Sequence, residues 1–355
     1  MKKLYELIKQ GAKVVVAEKP LYQSGIRQTD ATAFNKIVAE IWGGHFSAKI
    51  RHSESIIFKK LGLGLIYKAP FYGDDFSELG VERDLTVTEQ DSGTPSYAKY
   101  VAFLHRKSID QDIYFVSNQL DKVRELSFTF NINNKIPVVY DAVSDDTIKV
   151  NNWSFVNGKT ALTLKLEANQ SFFILFKQPA KASTSGAGNN WPAYKTIQDI
   201  SADWQAKFDP ADGGPVEPVI YTQLQDWTKS ADTLVKYYSG TAIYNKKIIF
   251  NGDTNTKLWI DAGDFSNIAG VKVNGLDCGT IWTAPHRVEI SKAIKKGENL
   301  ITIEIANTWG NRLIGDSKLP PEKRMTNTTA PFRLAGKPLY PAGLVGPVTI
   351  QTEEK

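Results

Sequence analysis

The chain has 355 residues, a length that suits about two or three domains, and its 42% hydrophobic and 23% charged content is that of an ordinary globular protein. The net charge of +5 comes from 43 basic and 38 acidic residues mixed along the sequence, with no basic run or arginine-rich stripe, which argues against nucleic-acid binding. Cys278 is the single cysteine, so an internal disulfide and a multi-cysteine metal cluster are excluded, and no apolar run approaches the ~18 residues of a membrane helix.

Residues 1–85 read as a short, incomplete α/β segment. The start, MKKLYELIKQGAKVVV, lacks the long apolar core and small-residue cleavage site of a signal peptide, so no membrane or export route is assigned and the location stays open. Leu4, Leu7 and Ile8 have helical spacing, Gly11 punctuates, and Val14-Val15-Val16 reads as a buried strand. Asp30 suits the N-cap of a helix running to about Trp42, with Phe34, Ile37, Val38 and Ile41 as its apolar stripe and Gly43 beyond its end. A further helix is expected around Ser55 to Leu61, which leaves only one convincing strand in this segment. Gly62-Leu63-Gly64 has no third glycine at the dinucleotide-binding spacing and no strand before it, so it reads as a helix end or turn.

Residues 86–178 change to a period of two. Val101/Phe103, Ile113/Phe115, Phe128/Phe130/Ile132, Leu162/Leu164/Leu166 and Phe172/Ile174/Phe176 alternate with polar neighbours, separated by turn-rich pieces such as Asp91 to Pro95 and Asn157-Gly158. Short strands at this spacing predict a β-sandwich. Within it, His105-Arg106-Lys107 followed by Asp112 to Asn118 reads as a hairpin in which Arg106 pairs with Asp112. Residues 179–190, PAKASTSGAGNN, are small and polar and read as a linker. Residues 191–355 form the last unit, a second sandwich. Leu258/Ile260, Val271/Val273 and Leu300 to Ile305 alternate, Asn274-Gly275 is a tight-turn signal, and Val288 to Ser291 is a further extended piece. The predicted fold is thus mainly β, two β-sandwich domains preceded by the α/β segment.

Val-x-Val-Asn274-Gly275, then Gly279, Pro285, Val288 to Ser291 and Gly297-x-Asn299-x-Leu-x-Ile-x-Ile-x-Asn307, resemble the sugar-binding, galactose-binding-like jelly roll of family 2 glycoside hydrolases, with Glu289 where that pattern usually carries Asp. Taken with HRKSIDQDIYFVSN, Ser239 to Ala242, Ile281-Trp282-x-x-Pro285, Asn311 to Asp316 and Ala342-Gly343-Leu344-x-Gly346-Pro347-Val348, most of the chain resembles the C-terminal region of bacterial family 106 α-L-rhamnosidases, more strongly from about residue 100 onward than over 1–85. The resemblance implies a glycoside hydrolase whose catalytic glutamates and calcium site lie on a barrel upstream of these domains. No catalytic residue or cofactor is therefore carried over to this chain, and the members of the family are usually exported. The expected partners are a carbohydrate, specifically a rhamnose-containing glycan, and either the upstream catalytic barrel or a second copy in a homodimer.

The residues leave three functions open: an accessory portion of a glycoside hydrolase that is inactive alone, a free-standing carbohydrate-binding protein, or an intact hydrolase. Glycoside hydrolysis needs two carboxyl groups flanking the scissile bond, and the sequence singles out no such pair. The four histidines, His45, His52, His105 and His286, are too far apart for a local metal pattern. Trp282 and Trp309 fall in gaps between strand patterns, with His286, Arg287, Asn311, Arg312 and Asp316 beside them. Indole faces suit the apolar side of a sugar ring and the polar groups suit its hydroxyls. The competing reading is that the tryptophans plug a sandwich edge and Asn311-Arg312 pins a loop.

Overall fold

A computed structural model describes residues 1–355 except 24–29, 52–53, 70–81, 92–93, 181–183, 186–187, 329–332 and 355. The chain forms two compact units, Met1–Leu85 and Thr86–Lys355.

The first unit contains α1 (Lys2–Lys9), β1 (Lys13–Val16), α2 (Ala31–Trp42), β2 (Ser47–Arg51), β3 (Glu54–Leu61) and β4 (Gly64–Lys68). Asp30 caps α2 as its sequence suggests, its Oδ1 accepting from the Ala33 N–H at 2.9 Å. The strands form one sheet in the order β1-β4-β3-β2, with β1 parallel to β4 and the other pairs antiparallel. Ile8, Val16, Ile41 and Ile66 make its core. The segment around Ser55 to Leu61 is therefore a strand and not the expected helix, and Gly62-Leu63 is the turn of the β3–β4 hairpin. A short run such as Ser-Ile-Ile-Phe fits either period, and here pairing on both edges decides it. Gly62 supplies the positive φ of +63° that this turn requires.

The second unit begins with eleven strands: β5 (Leu85–Asp91), β6 (Thr94–Tyr97), β7 (Val101–Lys107), β8 (Asp112–Asn118), β9 (Arg124–Phe130), β10 (Lys135–Asp141), β11 (Asp146–Lys149), β12 (Asn152–Val156), β13 (Lys159–Leu166), β14 (Ser171–Pro179) and β15 (Thr184–Ser185). They make a five-stranded sheet, β11-β10-β14-β8-β7, and a six-stranded sheet, β15-β12-β13-β9-β5-β6. The period-two pattern buries Tyr114 and Val116 from β8, Leu126, Phe128 and Phe130 from β9, and Phe172, Ile174 and Phe176 from β14. Tyr114 meets Phe130 edge-on at 4.8 Å, and Phe130 meets Phe176 at 5.0 Å, so aromatic contacts join the two sheets.

One detail differs from the sequence expectation. Arg106 stands opposite Ile113, on the other face of the hairpin from Asp112. Asp112 instead faces inward, where it receives His105 Nε2 at 3.1 Å and Lys135 Nζ at 2.8 Å. Strand alternation decides this: residues 105 and 107 share the face of 112, and residue 106 does not. The segment 179–190, expected as a linker, lies partly outside the described residues. Its end is tied down: the buried Asn190 carboxamide accepts from Asn151 N and Asn152 N and donates to the carbonyls of Asn152 and Thr163.

The remaining strands are β16 (Tyr194–Asp199), β17 (Ala202–Lys207), β18 (Val219–Gln223), β19 (Thr241–Phe250), β20 (Leu258–Asp261), β21 (Asp264–Phe265), β22 (Ile268–Val273), β23 (Leu276–Ile281), β24 (Arg287–Glu289), β25 (Gly297–Ala306), β26 (Leu344–Gly346) and β27 (Thr349–Glu353), with α3 (Thr233–Lys236) and α4 (Gly310–Asp316). A four-stranded sheet, β16-β27-β20-β24, and a six-stranded sheet, β18-β17-β19-β25-β22-β23, enclose one core that includes Trp204, Trp227, Tyr244, Ile260, Val271 and Ile303. None of these alternating runs is displaced from its expected place. Asn274 and Gly275 both have positive φ and turn the β22–β23 hairpin. Cys278 is half-buried, and burial raises its thiol pKa, as suits a passive cysteine.

The Asp112 cluster makes a pH prediction. Burial pushes the Asp112 carboxyl up, but hydrogen bonds from Lys135 and His105, with the charges of Lys135 and Lys107, outweigh it and hold the group below its usual value. A depressed carboxylate stabilises the fold fully above the unfolded value of about 3.9 and loses that contribution as pH falls through the folded value. Urea unfolding at stepped pH should show a steeper loss of stability below about pH 4 in the native chain than in Asp112→Asn, and that variant should be about 1–2 kcal/mol weaker at neutral pH.

Candidate functional site

The strand register brings the two candidate tryptophans to one end of the second sandwich. Ile281, Ala269, Ile305 and Ala242 form one row across β23, β22, β25 and β19. Trp282 leaves β23 one residue beyond that row, and the chain leaving β25 reaches Trp309 shortly after Ala306. The two exits are separated by one intervening strand, which at roughly 4.8 Å per strand puts them about 10 Å apart. Trp282 is 62% exposed and Trp309 is 70% exposed, so neither plugs an edge.

The polar candidates divide differently. His286 follows Trp282 in the same loop, its Nδ1 2.8 Å from the Gly263 carbonyl and its ring 4.7 Å from Phe265. Arg287 lies in β24 with its guanidinium 4.0 Å over the Tyr194 ring and 3.8 Å from Asp261, turned onto the outer face of the four-stranded sheet. Thr308 to Asp316, read from sequence as a loop, contains the helix α4, which buries Asn311, Ile314, Gly315 and Asp316. Asn311 clasps Tyr340 twice, donating to its carbonyl at 2.7 Å and accepting from its N–H at 2.8 Å. Asp316 Oδ2 accepts from the N–H groups of Met325 and Thr326 and from the Thr326 hydroxyl. Arg312 donates to the carbonyls of Asp212 and Gly213. Burial lowers the pKa of its guanidinium, and the neighbouring Asp316 charge opposes that shift.

The structure adds one residue that the sequence reading missed. Tyr340 is 49% exposed, and its ring packs against Gly310 at the start of α4, beside Trp309. The signal in the sequence was indirect, because it is the Asn311 clasp, from 29 residues away, that brings Tyr340 to this end. The Tyr340 loop is also fixed from the other side, where the Ser266 hydroxyl donates to the Pro341 carbonyl at 2.7 Å. The end of the sandwich thus presents three aromatic side chains on a polar scaffold whose own hydrogen bonds are largely used internally. Such a surface can stack on a sugar ring. Among the described residues, no group of three or more His, Cys, Asp or Glu side chains stands close enough to hold a metal ion, and no helix is long and apolar enough to cross a membrane.

This division makes a stability prediction. Trp282→Ala should change stability by no more than about 0.5 kcal/mol, because the side chain is exposed. Asp316→Ala should cost about 2–4 kcal/mol by stranding the N–H groups of Met325 and Thr326. Thermal or urea unfolding of the two variants checks both.

Comparison with known proteins agrees with the resemblance seen in the sequence. The family model for α-L-rhamnosidases of glycoside hydrolase family 106 matches residues 1–154, which includes the first unit, where the sequence resemblance was loosest. The rhamnosidase of Novosphingobium sp. PP1Y is similar in structure over 99% of this chain, with a TM-score of 0.77 and 29% identity, and the match covers 32% of that protein. A protein of Formosa agariphila that bears a provisional β-glucuronidase name is 33% identical over 177 residues, 42% of this chain and 15% of its own length. The chain therefore spans less than a third of the rhamnosidase and a smaller share of the Formosa protein. Residues 1–154 thus match the family 106 α-L-rhamnosidase model, and nearly the whole of this mainly β chain is similar in structure to one region of a larger rhamnosidase.

Proposed function

We propose that this chain is the accessory, C-terminal portion of an α-L-rhamnosidase-like glycoside hydrolase, that it does not hydrolyse glycosides by itself, and that it serves a catalytic barrel supplied upstream. The observation that carries this reading is coverage: 99% of the chain is matched by only 32% of the Novosphingobium rhamnosidase. Two strand carboxylates have structural partners, Glu304 with Lys272 at 2.7 Å and Asp261 with Arg287 and Gln351, which suits a supporting role better than acid–base work. In this reading the second unit divides into a sandwich over 86–178, a connection over 179–190 and a jelly roll over 191–355, and the glycan is rhamnose-containing.

A second reading is a free-standing carbohydrate-binding protein. It draws on the exposure of Trp282, Trp309 and Tyr340 at one sandwich end. A shallow aromatic surface of this kind excludes little water, so its affinity for a single sugar should be on the order of millimolar, about −4 kcal/mol.

Two measurements test these readings together. Purified chain should give no turnover of an aryl α-L-rhamnoside, and turnover abolished by changing one of its own carboxylates would overturn the accessory reading. Titration with L-rhamnose should perturb the indole signals of Trp282 and Trp309. Loss of either ring should weaken binding by roughly 0.5–1.5 kcal/mol beyond its lost contact area. Unchanged binding in the folded Trp282→Ala and Trp309→Ala variants would remove this end as a sugar contact.

A further inference from the structure

The first sandwich carries a groove of about 560 Å³ on the outer face of its six-stranded sheet. That volume falls within the ~300–1,000 Å³ typical of small-molecule sites. Its floor follows from register. Asn152, Thr163 and Ser127 form one row across β12, β13 and β9, and Ser154, Ala161 and Thr129 form the next. These are the outward positions of strands whose other faces bury Trp153, Leu162 and Phe128. Ser127 and Thr163 place their hydroxyls 3.0 Å apart. Lys165 stands opposite Glu125 one row further on, and of the two only Glu125 lines the groove.

The wall is a separate segment, Gly188 to Trp191, laid against the β12–β13 pair. Asn190 holds it there with the four hydrogen bonds described above, and Asn152 adds a bond from its side chain to the Gly188 carbonyl. The wall thus sets the indole of Trp191 beside a floor of hydroxyls. It is not a strand of the sheet at that point, so the core does not require it to cover this face.

We infer that this groove is a second carbohydrate site, one that takes a neutral oligosaccharide along the sheet face. Hydroxyls both donate and accept, as sugar hydroxyls do, and the indole offers a flat apolar face to a ring. Among the described residues no lysine or arginine lines the groove and one glutamate does, so sulfated and uronate-rich chains are disfavoured. The groove is open to solvent and its floor carries a row of hydroxyls, which disfavours a wholly apolar ligand. The choice of a glycan rests on the glycoside hydrolase kinship, whereas the location rests on this geometry alone. The aromatic end of the second sandwich shares none of these residues.

The test uses the full chain and a neutral oligosaccharide bearing α-L-rhamnose, followed by NMR on backbone amides and indole N–H groups. Saturable shifts are expected at Ser127, Thr163 and the Trp191 indole. Trp191→Ala should weaken the affinity read from these shifts by about tenfold. Thr163→Val, which keeps the β-branched shape and removes one hydroxyl, should weaken it by about threefold. Trp282→Ala and Trp309→Ala should leave these shifts unchanged, which separates this site from the aromatic end. A groove that stays silent at millimolar sugar overturns the inference, as does unaltered affinity in both folded groove variants or tighter binding of a sulfated oligosaccharide. Shifts at Trp282 and Trp309 with a silent groove would uphold the other site and defeat this one.

Discussion

The aromatic end of the second sandwich depends on one buried contact, the Trp227 indole N–H donating to the Tyr244 hydroxyl at 2.6 Å. Neither residue has a route to solvent, and burial pushes the Tyr244 hydroxyl pKa up to about 12, so it stays protonated. Around this pair the returning chain is fixed three ways. The Leu344 N–H reaches the same hydroxyl at 3.4 Å, Asp226 accepts from the Ala342 N–H at 3.0 Å, and the Trp227 N–H donates to the Ala342 carbonyl at 2.8 Å. Gly343 passes so close to the indole that a Cβ would collide with it, and its φ of +96° also favours glycine. Together with the Asn311 clasp on Tyr340 and the Ser266 bond to Pro341, the Trp227–Tyr244 pair fixes the 340–344 strap and with it the place of Tyr340 beside Trp309.

A second theme is the use of asparagine carboxamides to finish strands and hold loops. Asn118 donates to the carbonyls of Lys122 and Glu167, Asn299 links Lys295 and Gly297 to Asn274, and Asn307 links Gly240 to Tyr238. Asn190 and Asn311 belong to the same group. A carboxamide has two donor hydrogens and an acceptor, so a single buried side chain can satisfy several backbone groups where a ladder ends. The consequence for function is a division of labour. Polar residues such as Asn311 and Asp316 are spent on architecture, which leaves the exposed rings and the hydroxyl rows on the outer sheet face as the surfaces open to a ligand.

The two candidate surfaces differ in their physics. The aromatic end offers large apolar faces with little enclosure, which favours weak stacking on sugars of many kinds. The groove on the first sandwich offers a hydroxyl floor, one indole wall and one carboxylate, which favours orientation and charge selection over stacking area. A chain that supports a glycoside hydrolase could use the first to hold a passing ring and the second to align an oligosaccharide.

Much of the fold was legible in the sequence because strand burial repeats every two residues. Phe128/Phe130, Leu162/Leu164, Val271/Val273 and Leu300 to Ile305 announced their strands, and Asn274-Gly275 and Asp30 announced a turn and a cap, since these effects are local. The sequence also determined that Trp282 and Trp309 lie outside the strands. Tertiary structure decided the rest. Residues 54–61 became a strand only through pairing on both edges, and Asp112 chose His105 and Lys135 because alternation turns Arg106 to the opposite face. Tyr340 joined the aromatic end through Asn311, 29 residues away, and Trp191 became a groove wall through Asn190, whose partners lie 27 to 39 residues back. No periodicity encodes such partners, because they are set by which strand ends the fold brings together.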